Sequence, residues 1–280
     1  MKFVRYGAPG REKPGVLDRE GRIRSLVGVV RDIDAGAYSR EGQRRLRELK
    51  LEELPLVRSK PRLGVPFVGI GKFIGIGLNY RDHAQEAGMP IPTEPVVFNK
   101  WTSCITGPND DIVQPPHSTK LDWEVELGVV IGRAARYVPE ADALKHVAGY
   151  CVVNDVSERN FQLERGSQWD KGKGCDSFGP LGPWLVTADE VPDPQALDLW
   201  LDVNGKRMQT GSTRAMVFGV RELVSYLSRF MSLLPGDIIT TGTPPGVAMG
   251  MKPPRWLVPG DVVSLGIAGL GEQKSRVVAA

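Results

Sequence analysis

Residues 122–132 read DWEVELGVVIG. Three acids, Asp122, Glu124 and Glu126, alternate with Trp123, Val125 and Leu127 before the chain turns apolar. Period-two alternation marks a strand and puts the three acids on one face. A half-exposed strand with a solvated acidic face would satisfy that spacing. Yet LGVVI follows Glu126 at once, so the strand is entering an interior, where an unpaired carboxylate is costly. A further acid, Asp155, sits in a second apolar run, YCVVNDVS, at a similar inward-looking junction.

Carboxylates that converge in an interior repel one another unless a cation lies between them. Oxygen donors with no His or Cys in the motif favour a hard ion, Mg²⁺, Mn²⁺ or Ca²⁺, over zinc. A site with only three protein oxygens keeps positions for water and substrate, the layout of a catalytic metal.

Strand signals recur along the chain, in KFIGIGL, PVVFNK, GPWLVT, LWLDVNG, DIITTGT and DVVSLGIAG. The Asn-Gly pair in DVNGK, 202–206, marks a hairpin. Helices are few: 39–54, RDHAQEAG at 81–88, ADALKHVAG at 141–149, and the amphipathic 218–233. The expected fold is mostly β with peripheral helices, α+β overall. The polar, proline-containing stretch RSKPRLGVP at 58–66 reads as a linker. It divides a small α+β N-terminal domain, 1–65, from a main domain, 66–280.

With 36 basic and 33 acidic residues the net charge is +3, too balanced to suggest nucleic acid or a membrane surface as partner. MKFVRYGAPG has no apolar run long enough for a signal peptide, and no segment approaches a membrane span. Cys104, Cys151 and Cys175 are odd in number and widely spaced, which points to reduced thiols in a cytoplasm. No strand–helix GxGxxG occurs, and TGTPPGV at 241–247 lacks the lysine of a phosphate loop. Nicotinamide, flavin and nucleotide triphosphate chemistry are therefore not indicated.

Three further stretches carry chemistry. In GIGLNYRDHAQEAG, 75–88, His83 and Glu86 are three apart, so on a helix the carboxylate can orient the imidazole. In QWDKGKGCDSFGP, 168–180, Lys173 precedes a turn-rich apolar run, which predicts a loop folding back over a pocket. In TGTPPGV, Gly and Pro set an unusual backbone path and Thr243 offers a hydroxyl.

Taken in order, GLNYRDHAQE, EPVVFNKWTS, DWEVELGVVIG, AGYCVVNDVSERN, WDKGKGCDSFGP, VNGKRMQ and PGDIITTGTPPGV resemble the fumarylacetoacetate hydrolase family over about residues 70–270. The resemblance implies a β-roll or barrel-like catalytic domain, usually a homodimer, with Mg²⁺ or Mn²⁺ held by Glu124, Glu126 and Asp155. It makes Asp122 the outer acid, beyond the metal ligands or exposed. It implies an acid/base dyad of His83 and Glu86 on a lid-like helix, and Lys173 beside the reacting carbonyl. Lys100 and Thr243 fall at pocket-lining positions, and Arg159 and Gln162 close to the metal-bearing strand, all four as substrate-binding residues.

The implied reaction is hydrolysis of a 2,4-diketo acid of acylpyruvate type to pyruvate and a hydroxy acid. The ERNFQLERGSQWDKGKGCDSFGP block is most similar to the bacterial 2,4-diketo-3-deoxy-L-rhamnonate and fuconate hydrolases, which implies a sugar-acid substrate. Arg159, Arg165 and Gln168 are then candidates for recognising hydroxyl or carboxylate groups. Leu78 stands where some relatives carry an Arg for a substrate carboxylate, so substrate identity does not follow from the motif alone. Two other readings stay open: an oxaloacetate or keto-acid decarboxylase or tautomerase using the same enolate, and a non-catalytic metabolite-binding β-domain.

Overall fold

The computed structural model describes residues 1–86, 88 and 90–280. It is mostly sheet, as expected, with short helices around a ten-stranded sheet, a five-stranded sheet and a two-stranded ribbon. The strand Val125–Ile131 lies inside the large sheet, between Val147–Asn154 and Ile238–Thr240. All of its residues are buried. Each fully buried Val, Leu or Ile contributes about 1.5–3 kcal/mol, and that gain lets the same strand carry Glu126 inward. The smaller sheet lies against the larger one, where Gln273 Nε2 donates to Val152 O at 2.8 Å.

The Asn-Gly hairpin forms as read, joining Asp198–Val203 to Lys206–Ser212. Asn204 and Gly205 have φ of +54° and +77°, the doubly positive pair of a type I′ turn. The helix expected over 39–54 spans only Arg40–Arg47, with Ser39 Oγ accepting from the Gly42 N–H at 3.2 Å. Its last turn gathers Arg44, Arg45 and Arg47, charges that suit a helix C-terminus.

ADALKHVAG is not one helix. Glu140–His146 is a 3₁₀ stretch, and Val147 already begins the strand Val147–Asn154. Sheet pairing outweighs local helix preference here, because this strand bonds to neighbours on both sides. The RDHAQEAG helix covers Arg81–Glu86, and Ala87 lies outside the described residues.

The strands Lys2–Tyr6, Lys13–Leu17 and Ile23–Ser25 extend the large sheet through pairing of Lys2 and Phe3 with Val186 and Leu185. In the polar stretch 58–66, Arg62 pairs with Asp110 (Nε to Oδ1, 2.6 Å) and with Glu12 (3.0 Å). Among the described residues no helix is long and apolar enough to cross a membrane.

Candidate active site

Backbone geometry brings two of the acids together. The Asp155 N–H donates to Glu124 O at 2.9 Å, and the Glu124 N–H donates to Asn154 Oδ1 at 3.2 Å. Glu126 stands in the strand opposite Val153, two residues before Asp155. Carboxylate oxygens of Glu124, Glu126 and Asp155 lie within 4.8 Å of one another, and all three residues are buried.

Three buried cations attend this cluster. Lys173 Nζ donates to Glu124 Oε2 at 2.6 Å and to Asp155 Oδ2 at 2.7 Å. Lys100 Nζ donates to Asp155 Oδ1 at 2.6 Å and to the Lys173 carbonyl. Arg159 donates through Nη2 to Glu124 Oε1 at 2.5 Å, through Nε to Asp122 Oδ2 at 2.9 Å, and through Nη1 to Gln162 Oε1 at 3.0 Å.

Four buried carboxylates therefore face three buried cations, and Glu126 is the acid with no cationic partner among the described residues. Its Oε2 accepts only the Thr240 hydroxyl and the Gly242 N–H, the latter at 2.9 Å. Burial, then repulsion by Asp155 and Glu124, push the Glu126 carboxyl well above the usual carboxylate range. Burial would raise Glu124 as well, but Arg159 and Lys173 outweigh it and hold that carboxyl below its ordinary value. An all-oxygen set with one carboxyl left without a cation fits a hard divalent ion, which Glu124, Glu126 and Asp155 would hold.

Above the acids sits the helix Arg81–Glu86. His83 Nδ1 and Glu86 Oε2 are 3.1 Å apart. Glu86 is itself anchored, accepting the Gly246 N–H at 3.0 Å on Oε1 and 3.2 Å on Oε2. Gly246 has φ of +103°, and a Cβ there would stand 2.0 Å from Met208 O, so no larger residue fits. With Nδ1 engaged, Nε2 is the imidazole nitrogen left for chemistry.

The turn into this helix is strained and firmly tied. Leu78 holds φ of +54°, a left-handed conformation that costs a branched residue roughly 1–3 kcal/mol. Asn79 locks it, donating to Phe218 O (3.0 Å) and Thr241 O (2.8 Å) and accepting the Phe218 N–H (2.9 Å).

His83, Glu124, Glu126, Arg159, Gln162 and Lys173 all line one cavity. Thr243 is on its wall too, but its hydroxyl already donates to Val125 O at 2.9 Å and accepts from Gln209 Nε2 at 2.8 Å. Lys100 was expected at the wall and is not there: it is fully buried behind Asp155.

Asp122 is neither exposed nor in the strand of Glu126. It pairs with Ser157 in the two-stranded ribbon, and its carboxylate accepts the N–H groups of Trp123 (2.8 Å), Ala248 (2.7 Å) and Met249 (3.2 Å). Those bonds break the strand before Val125 and leave Asp122 holding Arg159. Asn79 and Trp169 were not singled out from the sequence. The Asn beside the His83 helix was a signal for the first, and the Trp heading the lysine loop for the second.

Residues 72–278 match the fumarylacetoacetate hydrolase C-terminal family. A protein of Burkholderia multivorans, provisionally named a hydrolase, is 65% identical over 274 residues, 98% of this chain and 97% of that one. The fold is similar to that of a provisionally named 2-hydroxyhepta-2,4-diene-1,7-dioate isomerase from Mycobacterium abscessus, at 34% identity and a TM-score of 0.85, covering 100% of this chain and 99% of that one. It is also similar to maleylpyruvate hydrolase from Sphingobium sp. SYK-6, at 29% identity and a TM-score of 0.83, covering 100% of both chains.

Proposed function

This chain belongs to the fumarylacetoacetate hydrolase family, and on that footing we propose that it is a Mg²⁺- or Mn²⁺-dependent hydrolase cleaving the C–C bond of acylpyruvate-type 2,4-diketo acids. The products are pyruvate and a second acid. A 2,4-diketo-3-deoxy sugar acid, implied by the lysine-loop resemblance, is one member of that substrate class. The observation that carries the reading is that Glu124 and Glu126, clustered with Asp155, line the same cavity as His83, whose Nδ1 meets Glu86. The maleylpyruvate hydrolase neighbour supports it, because an acylpyruvate stands in that protein's name.

A divalent ion on the three carboxylates would supply Lewis acidity to the 2-oxo acid head of the substrate. The chain's own groups do the rest. His83 Nε2 takes a proton from water as the oxygen adds to the distal carbonyl, while Glu86 keeps Nδ1–H in place and steadies the imidazolium. Lys173 has two N–H groups committed to Glu124 and Asp155 and a third for the developing alkoxide. When the alkoxide collapses, the C–C bond breaks toward the 2-oxo head. Its methylene carbon then takes back the proton held at His83, giving pyruvate.

The isomerase neighbour supports a rival in which this site moves protons without adding water. The test is product analysis with acylpyruvates, the unsaturated dioate and oxaloacetate, each with Mg²⁺, with Mn²⁺ and with chelator. Metal-dependent pyruvate release from a diketo acid, lost in His83→Ala, is the expected result. Isomer without cleavage, or carbon dioxide from oxaloacetate that survives His83→Ala, would replace hydrolysis by one of the rivals.

A further inference from the structure

The cavity wall carries a set of apolar side chains beside its polar ones. Its polar side chains are His83, Thr243 and the groups around the carboxylates; each is held by a protein partner, with His83 Nε2, Gln162 Nε2 and one Lys173 N–H left over for a ligand. Next to Lys173 the character changes. Phe98 lies with its ring centroid 5.0 Å from Lys173 Nζ and 5.6 Å from the ring of Trp169. Trp169 in turn covers Gly77, where a Cβ would stand 2.6 Å from the indole. Leu78, Leu163 and Met249 continue this face.

Leu163 is 48% exposed, a large apolar side chain held at the lip of a polar-floored cavity with solvent over it. Apart from the Trp169 indole N–H, this face offers no side-chain hydrogen-bonding group among the described residues. Of the residues put forward for hydroxyl recognition, Arg159 lines the cavity but is committed to Asp122, Glu124 and Gln162, and the other two are elsewhere. Arg165 is exposed, stacked on Phe161 at 5.1 Å and donating to Asn160 Oδ1 at 2.9 Å, and neither it nor Gln168 lines the cavity. A polyhydroxylated chain laid here would give up water without replacement, whereas an apolar one would cover exposed hydrocarbon.

We infer that the substrate carbon chain beyond the diketo acid head is apolar, an alkyl, alkenyl or aryl tail, and that Leu163, Trp169 and Met249 set this preference. The inference rests on the acylpyruvate reading of the head. It counts against the deoxy sugar acid as the preferred member of the class.

The test is calorimetric titration of the full chain, loaded with Mg²⁺ or Mn²⁺, using three 2-oxo acids that cannot be cleaved. These are pyruvate, 2-oxohexanoate and a hydroxylated 2-oxo acid of six carbons. Burial of each methylene is worth up to about fourfold in affinity, so 2-oxohexanoate should bind at least about tenfold tighter than pyruvate. The hydroxylated acid should gain nothing over pyruvate. In the Leu163→Asn, Met249→Gln double variant the ratio between 2-oxohexanoate and pyruvate should collapse toward one. Both positions are partly exposed, and an unchanged melting temperature will confirm that the variant folds. If the hydroxylated acid binds as tightly as 2-oxohexanoate, or the double variant keeps the full ratio, the inference is overturned and the head reading stands. If no 2-oxo acid binds with either ion, the head reading fails and takes the inference with it.

Discussion

Lys100 Nζ lies 2.6 Å from Asp155 Oδ1, and neither side chain reaches solvent. The pair orients Asp155 so that Oδ2 meets Lys173 at 2.7 Å. Lys100 thus acts through Asp155, with no face of its own on the cavity. Replacing it by Met leaves Asp155 with Lys173 as its one cation in place of two, and breaking a buried pair costs up to roughly 3–5 kcal/mol. Urea unfolding of Lys100→Met should show that loss with no substrate present. A variant of unchanged stability and raised KM would instead make Lys100 a substrate contact.

Glu126→Gln should abolish the metal response while sparing the fold. The amide oxygen can still accept from Thr240 and Gly242, as the carboxylate does. Thermal melts with and without millimolar Mg²⁺ or Mn²⁺ are the check. The parent should gain stability as ligand binding requires, and the variant should not.

His83→Ala should lower kcat about 10²–10⁴-fold, the usual contribution of a general base, and keep the metal-induced rise in melting temperature. Glu86→Gln should lose less, because it weakens the hold on Nδ1 without removing the imidazole. Gly246→Ala should resemble Glu86→Gln in rate but also lose stability, since its Cβ collides with Met208 O. Steady-state kinetics beside melting curves separates the three.

The Arg62–Asp110 pair predicts a pH-dependent difference. Burial raises the Asp110 carboxyl, but bonds from Arg62, Thr106 and the Gly107 N–H outweigh it, so the folded value is depressed. A depressed carboxylate stabilises fully above its unfolded value of about 3.9, and the contribution fades as pH falls through the folded value. Arg62→Met should therefore cost roughly 2 kcal/mol at neutral pH. That deficit should shrink below about pH 4. Paired denaturation curves at the two pH values measure it, and a deficit independent of pH would mean that Arg62 acts by packing alone.

Much of this molecule was readable one stretch at a time. Alternation and turn residues located the strands around Glu124, Glu126 and Asp155, and the three-residue spacing anticipated the His83–Glu86 contact. What escaped was set by partners far along the chain. Lys100 meets groups 55 and 73 residues away, so no local pattern could tell a wall residue from one behind the acids. Asp122 looked like the first of three equivalent acids. It differs because Ala248 and Met249, more than a hundred residues later, present their N–H groups to it. The helix reading of 141–149 failed for the same cause, since the pull on Val147 comes from neighbouring strands.

The groups that would do chemistry and those that would choose the substrate are mounted differently. Glu124 and Glu126 sit at the entry of a strand flanked on both sides, whereas Leu163 and Trp169 stand at the ends of short helices and Met249 in a 3₁₀ turn. A change at the latter positions disturbs little else, while a change in the central strand is felt throughout the sheet. Such a division makes the scaffold evolvable: new tails can be tried by drift at the rim while the reactive floor is inherited intact.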